Sequence, residues 1–274
     1  MNIIVFGAHP DDCEYYAGGT AIKWGRVGFR VKFVSVTNGD AGHHEHTRSE
    51  LARIRKAEAA EADKLLGVAS EVLDNPDGDL LPTLDVRQKL IRLIRSWNAD
   101  VVISHRPWDY HPDHRNTAIA VQDTAYMVIV PKVCPDTPPL KKNPVYLYTA
   151  DGFHHPEPFR PDIIVPLDDV FSQKVCALHM MPSQFYEWLP WTAGELDRVP
   201  KANDERRAWL ERRMRPWFAN RFPDETAKAY GKAVADTIKL AETFQVCEYG
   251  RQLSKEDIRA LFPFLPEFEQ QVHL

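Results

Sequence analysis

Cysteine is scarce and scattered in this chain. Cys13, Cys134, Cys176 and Cys247 form no CxxC pair, so a cysteine-rich zinc site is excluded and a disulfide framework disfavoured. A reducing cytoplasm fits that usage. No apolar run approaches the roughly 18 residues needed to span a bilayer. The first seven residues, MNIIVFG, lack the basic start and long apolar stretch of a signal peptide. Positive charge is not in excess either: 34 Lys and Arg stand against 39 Asp and Glu, a net charge of -5. Nucleic acid and anionic membranes are therefore unfavoured partners. No GxGxxG or P-loop follows the first apolar run, and Gly18-Gly19 comes too late and alone, which speaks against a nucleotide-binding module. What is present is ordinary for a globular protein: 274 residues, 44% hydrophobic and 27% charged. Such a chain can bury a full core without staples.

Apolar runs and amphipathic segments alternate over the first 105 residues or so. Ile3 to Phe6, Val31 to Val36, Glu71 to Leu73 and Val101 to Ser104 read as buried strands, with helices near 18–28, 47–66 and 84–97. This alternation predicts an α/β fold, a Rossmann-like parallel sheet with helices on both faces. Ligands in such sheets sit beyond the carboxyl ends of the strands. The C-terminal portion is more elaborate. Residues 129–145 are proline-rich and read as loop, Val145–Tyr148 and Ile163–Val165 as strands, 169–181 as helix and 225–244 as a closing helix. Residues 186–222 form a Trp/Arg-rich insertion with four of the seven tryptophans. Trp209, Leu210, Met214 and Trp217 recur there at helical spacing, the pattern of a packed or oligomer-forming helix more than of a substrate wall. With no internal repeat, the expectation is one domain, 1–274, with homo-oligomerisation left open.

Two clusters carry chemistry. The first strand runs into Ala8-His9-Pro10-Asp11-Asp12-Cys13-Glu14, in which His9 and Asp12 suit a borderline divalent metal. Asp11, next to Asp12, must point elsewhere and is free to act on something bound there. A capped turn is the structural alternative. The fourth strand leads to His105 and then His111-Pro112-Asp113-His114. Pro112 suits the first position of a helix, which sets His111 and His114 one turn apart on a shared face. His9, Asp12 and one of the two later histidines would give three protein ligands, the number used by catalytic zinc sites. Arg55 and Glu58 fall inside the apolar stripe of their helix, where charges are rarely buried unpaired. They form either an ion pair with each other or the end of the stripe that reaches the site.

These motifs resemble those of the PIG-L (LmbE-like) family of metal-dependent N-deacetylases. Thr37-Asn38-Gly39-Asp40, Arg55-Lys56-Ala57-Glu58, Leu66-Gly67-Val68, Asp77-Gly78, Lys174, Ser183-Gln184 and Ala241-Glu242-Thr243-Phe244 extend the resemblance over most of the chain. One departure is Met181, where the family often has histidine. The resemblance implies His9, Asp12 and His114 as metal ligands, Asp11 as general base and His111 as the acid that protonates the leaving amine. It implies substrate contact for Arg55, and Asp77 could hydrogen-bond sugar hydroxyls. Asp113 is placed to orient one imidazole, or is a solvated first-turn acid.

The implied protein is a cytoplasmic Zn²⁺-dependent hydrolase that removes an N-acyl group, foremost acetyl, from a small acylated amino sugar. Other divalent metals, iron, cobalt or manganese, suit the same donors. An amidase acting on a thiol–sugar conjugate or another acylated amine is the neighbouring reading. A non-haem iron oxygenase is a more distant one, because its two histidines and carboxylate normally come as His-x-acid on a β-sandwich.

Overall fold

The computed structural model describes residues 1–267, so the last seven residues of the expected 1–274 domain lie outside it. Seven strands form one sheet in the order β3-β2-β1-β4-β5-β7-β6. They are β1 (Asn2–Gly7), β2 (Arg30–Thr37), β3 (Ala69–Asn75), β4 (Val101–Ser104), β5 (Val145–Thr149), β6 (Ile163–Pro166) and β7 (Ala241–Val246). The helices are α1 (Asp12–Arg26), α2 (Arg48–Leu66), α3 (Leu84–Trp97), α4 (Pro112–Gln122), α5 (Phe171–Leu178), α6 (Leu189–Thr192), α7 (Asn203–Met214), α8 (Pro223–Tyr230), α9 (Lys232–Ala235) and α10 (Lys255–Leu261). No helix among the described residues is long and apolar enough to cross a membrane.

Alternation along β1 shows why the sheet needs two layers of helices. Ile3 and Val5 belong to the core built with α1, α2 and α5, whereas Ile4 and Phe6 belong to the one built with α3 and α4. A strand apolar on both faces is stable only when both are covered. α2 starts at a reciprocal Thr47–Glu50 capping box and stops at Gly67 (φ 72°). From β1 the chain steps outward to β2 and β3, then returns to lay β4 on the other side of β1. The carboxyl ends of β1 and β4 therefore flank a switch point, where open α/β sheets form their crevice.

Three expectations change. The first helix starts at Asp12 rather than near residue 18. Asp12 and Glu14 thus lie in its first turn, where acids complement the helix dipole. The closing helix ends early: α8 stops at Gly231 (φ 77°), and Ala241–Val246 is a strand. Because β7 runs antiparallel to both β5 and β6, the sheet is mixed, parallel only from β3 to β5. The tryptophan stripe also breaks. Leu210 and Met214 are buried and Trp209 packs beside them, but α7 ends at Met214, and Trp217 is 66% exposed.

Gly18-Gly19 serves packing. A Cβ on Gly19 would lie 2.5 Å from Leu167 and 3.1 Å from a Glu242 oxygen. Glu242 accepts from the Gly19 and Thr20 amides (2.9 and 2.7 Å) and from Lys174 Nζ (2.5 Å), which is fully buried. Burial pulls the Lys174 ammonium down in pKa, and Glu242 holds it up. Breaking a buried pair by removing one partner leaves an uncompensated charge. Glu242→Ala is therefore expected to lower the unfolding free energy by about 3–5 kcal/mol in urea titrations; a loss below about 1 kcal/mol would show that the pair is not what ties α1, α5 and β7 together.

Candidate metal centre

The two motifs meet at one carboxylate oxygen. Asp12 Oδ2 accepts the His9 amide (2.8 Å) and lies 3.4 Å from His9 Nδ1, 3.3 Å from His105 Nε2 and 3.5 Å from His114 Nε2. His9, Asp12 and His114, all buried, form a group able to share one cation, with ligand atoms within 4.8 Å of one another. Tetrahedral ligands at about 2.0–2.1 Å from zinc stand about 3.3 Å apart, close to the spacing around Oδ2. The outward nitrogens are accounted for as well. His114 Nδ1 contacts Asp109 Oδ2 at 3.0 Å, which leaves Nε2 toward the cluster. His9 Nε2, buried and without a hydrogen-bond partner, lies 3.2 Å from Asp77 and 3.4 Å from Asp113. Two carboxylates that close favour a proton on Nε2 and leave the Nδ1 lone pair toward Asp12.

Electrostatics agree with a cation site. Burial would raise Asp12, yet the His114 and His105 imidazoles bring it well below the usual carboxylate range. Burial likewise opposes charge on His9 and His114, but the surrounding carboxylates outweigh it and raise both. The same concentration of negative charge favours a divalent ion, whose binding would release those protons.

Asp11 stands apart. Its backbone (φ 157°, ψ -22°) lies outside the favoured regions for an L-residue, and strain of that kind persists only where the surroundings enforce it. The enforcing group is Arg55, 3% exposed, which donates to Asp11 Oδ1 (3.0 Å), Pro10 O (3.1 Å) and Gly39 O (3.1 Å). Gly39 (φ 68°) is required there, since a Cβ would come within 2.6 Å of the guanidinium. Burial raises the Asp11 carboxyl, Arg55 pulls it back, and it settles at about 6. Arg55 is thus not the ion-pair partner of Glu58, which instead accepts from Ser183 N and Oγ (2.9 and 2.5 Å). With its guanidinium buried, Arg55 holds Asp11.

His111 is half-buried and caps α4, its Nδ1 accepting the Asp113 amide (3.2 Å), so a proton on the ring sits on Nε2. Burial first, then the His9 and His114 rings, lowers its pKa. Asp113 is fully buried and accepts the Gly78 and Leu80 amides (2.6 and 3.3 Å) beside His9. It is not a solvated helix acid. Asp77 is buried too; burial would raise it, but His9 and Arg55 bring it to about 2.

Sequence reasoning gave no role to three residues here. Asp109 orients His114 and accepts the His111 amide (2.8 Å), His105 accepts the Ala8 amide (3.0 Å) and stacks on His114, and Asp40 accepts the Asp77 amide (3.0 Å). Asp109 was findable, because metal-binding imidazoles need an acceptor behind them.

Fold and site together define an α/β protein with a buried histidine–aspartate cluster, able to hold a metal ion, at the switch point of its sheet. Residues 4–125 match the family model described as PIG-L: GlcNAc-PI de-N-acetylase. A diacetylchitobiose deacetylase of Thermococcus kodakarensis is 29% identical over 197 residues, 69% of this chain and 73% of that one. A 4-oxalmesaconate hydratase of Pseudomonas putida is 25% identical over 209 residues, 73% of this chain and 80% of that one. The structure of the N,N'-diacetylchitobiose deacetylase from Pyrococcus horikoshii shares the fold, with a TM-score of 0.68 at 23% identity, covering 89% of this chain and 83% of that one.

Removing Asp109 removes the acceptor behind His114. Asp109→Ala is expected to weaken zinc binding about 10- to 100-fold in competition titrations, whereas His111→Ala retains the affinity. A loss in His111→Ala with none in Asp109→Ala would show that His111, not His114, is the ligand.

Proposed function

We propose that the chain is a metal-dependent N-deacetylase that releases the amine of an acetylated amino sugar. The observation that carries this reading is the separation of two adjacent aspartates: Asp12 turned to the histidines, and Asp11 turned to Arg55 and held near pKa 6. His9, Asp12 and His114 hold the ion, with zinc favoured by two imidazoles and one carboxylate. A divalent cation at that point polarises the amide carbonyl and makes a water easier to deprotonate. Asp11 takes the proton from the attacking water, since a carboxylate near pKa 6 is mostly ionised at neutral pH yet basic enough to accept it. His111 presents Nε2–H to the oxygen that becomes negative. As the oxyanion forms beside it, His111 takes up a second proton from solvent and the resulting imidazolium protonates the departing nitrogen, while Asp11 returns the proton it took from water to solvent. Asp77 and Asp113 hold His9 in place, and Asp77, at the edge of the site, is also within reach of sugar hydroxyls.

The hydratase relative favours a second reading, addition of water to an unsaturated acid by the same base. One screen separates the two. Metal-reconstituted protein should release amine from N-acetylated sugars and leave enol and diene acids unchanged. Asp11→Asn should lose on the order of 10²-fold or more in kcat while keeping its metal. Turnover of the unsaturated acids alone would replace the deacetylase reading by the hydratase one.

Arg55 gives a test of sign. Its guanidinium lowers Asp11, so Arg55→Met lets that carboxyl rise and moves the acidic limb of kcat/KM to higher pH. The loss should fall on kcat rather than KM. A raised KM with the acidic limb unmoved would make Arg55 a substrate contact.

A further inference from the structure

The reaction above gives Ser183 and Gln184 no part, yet both are buried. They open a π-helical turn, Ser183–Trp188, that runs straight into α6. Such turns are rare and recur at functional sites. This one faces the loop between β2 and α2, residues 38–47. Gln184 Nε2 donates to Gly42 O (3.2 Å) and to Ser183 Oγ (3.3 Å), and Ser183 is itself fixed by Glu58 of α2. Two more contacts join the same stretch to the same loop. His43, its side chain 1% exposed, accepts the Glu45 and His46 amides at Nδ1 (3.1 and 3.3 Å), so its proton lies on Nε2 and is donated to Glu187 Oε2 (3.0 Å). The His44 ring stacks on Trp191, with centroids 4.7 Å and planes 5° apart. Three successive loop residues are thus held by positions 184, 187 and 191, which share one face of a helical run.

That loop carries two groups of the site. Gly39 O accepts from Arg55, which holds Asp11. Asp40 accepts the Asp77 amide, and the Ala41 amide donates to Asp77 Oδ2 (3.4 Å). Gly42 stands between them: a Cβ there would lie 3.3 Å from Arg55 Nη1, 3.5 Å from Trp188 Nε1 and 3.7 Å from Asp77 Oδ2. A shift of Gly42 is therefore felt at both Arg55 and Asp77. Residues 38–47 form neither helix nor strand, and a segment of that kind takes its position from the rigid elements it touches. Here the holding contacts come from the start of the C-terminal elaboration, which the sequence reading assigned to packing.

We propose that the run from Ser183 to Trp191 is a clasp for the loop after β2, with Gln184 as a positioning residue: by fixing Gly42 it keeps the Gly39 carbonyl on Arg55 and Asp40 on the Asp77 amide. The inference rests on the deacetylase reading for the reaction being positioned, and amide exchange tests it apart from turnover. Hydrogen exchange read by mass spectrometry, on metal-reconstituted protein, compares the wild type with Gln184→Met, which keeps the side-chain length and loses the donor. Glu187→Ala and Glu187→Gln, at a side chain 40% exposed, guard against misfolding of the buried variant. Gln184→Met is expected to speed exchange about tenfold over residues 38–47 while α4 keeps its wild-type protection. On N-acetylated sugars the loss should fall mainly on kcat, about tenfold or more, as displacement of reacting groups does. Glu187→Ala should loosen the same loop, and Glu187→Gln, which can still accept from His43, should keep it protected. Exchange unchanged in both Gln184→Met and Glu187→Ala, or raised evenly over the whole chain, would overturn the clasp. A loss confined to KM would overturn it as well, by making Gln184 a substrate contact. If the loop is freed as expected while the wild type releases no amine from any acylated sugar, the clasp stands and the deacetylase reading falls.

Discussion

One oxygen atom, Asp12 Oδ2, is the point on which this site turns. It meets three imidazoles and a backbone amide, and those groups lie in the segments that follow two strands, β1 and β4, that pair directly in the sheet, His114 in the first turn of α4. A buried carboxylate in that position is held by the His9 amide that donates to it and by the raised proton affinity of the His9 and His114 imidazoles beside it. Remove the carboxylate and three histidines are left facing one another. The arrangement is therefore the tie between the two halves of the crevice.

Around that point the sequence spends its other acids on orientation. Asp109 stands behind His114, Asp77 and Asp113 stand behind His9, and Asp40 holds the Asp77 loop. Asp11 is the exception, a carboxylate of the cluster whose partner, Arg55, comes from α2 on the far side of the loop after β2. Two adjacent aspartates would otherwise repel within one turn. The strained backbone at Asp11 and the glycine at position 39 are local features of a single outcome: one acid bound into the cluster and the other kept basic beside it.

Much of this was legible in the sequence because it was local. The strand–helix alternation up to β4, the Pro112 start of α4 and the two motifs at strand ends follow from periodicity and chain chemistry. Three features were not legible, each for a reason of long range. β7 hides in Ala241–Val246 because a strand entering between β5 and β6 from the far end of the chain leaves no mark of its neighbours. Arg55 sits on an apolar stripe for a partner 44 residues away rather than for Glu58, which pairs with Ser183, 125 residues on. Trp217 matches the helical spacing of Trp209 and Met214, but the helix stops before it, and no rule of spacing says where.

The account stands or falls on where a cation binds. Crystals soaked in zinc and measured at its absorption edge would locate it by anomalous scattering. The predicted peak lies within about 2.0–2.2 Å of His9, Asp12 and His114, with Asp11 and His111 beside it as non-ligands. Three other groups of described residues could also take an ion: His9 with His111 and Asp113, His105 with Asp109 and His114, and His43 with His46 and Glu187. A peak at any of these, with none at Asp12, would contradict the assigned ligand set, and one at His111 would also remove its role as the acid.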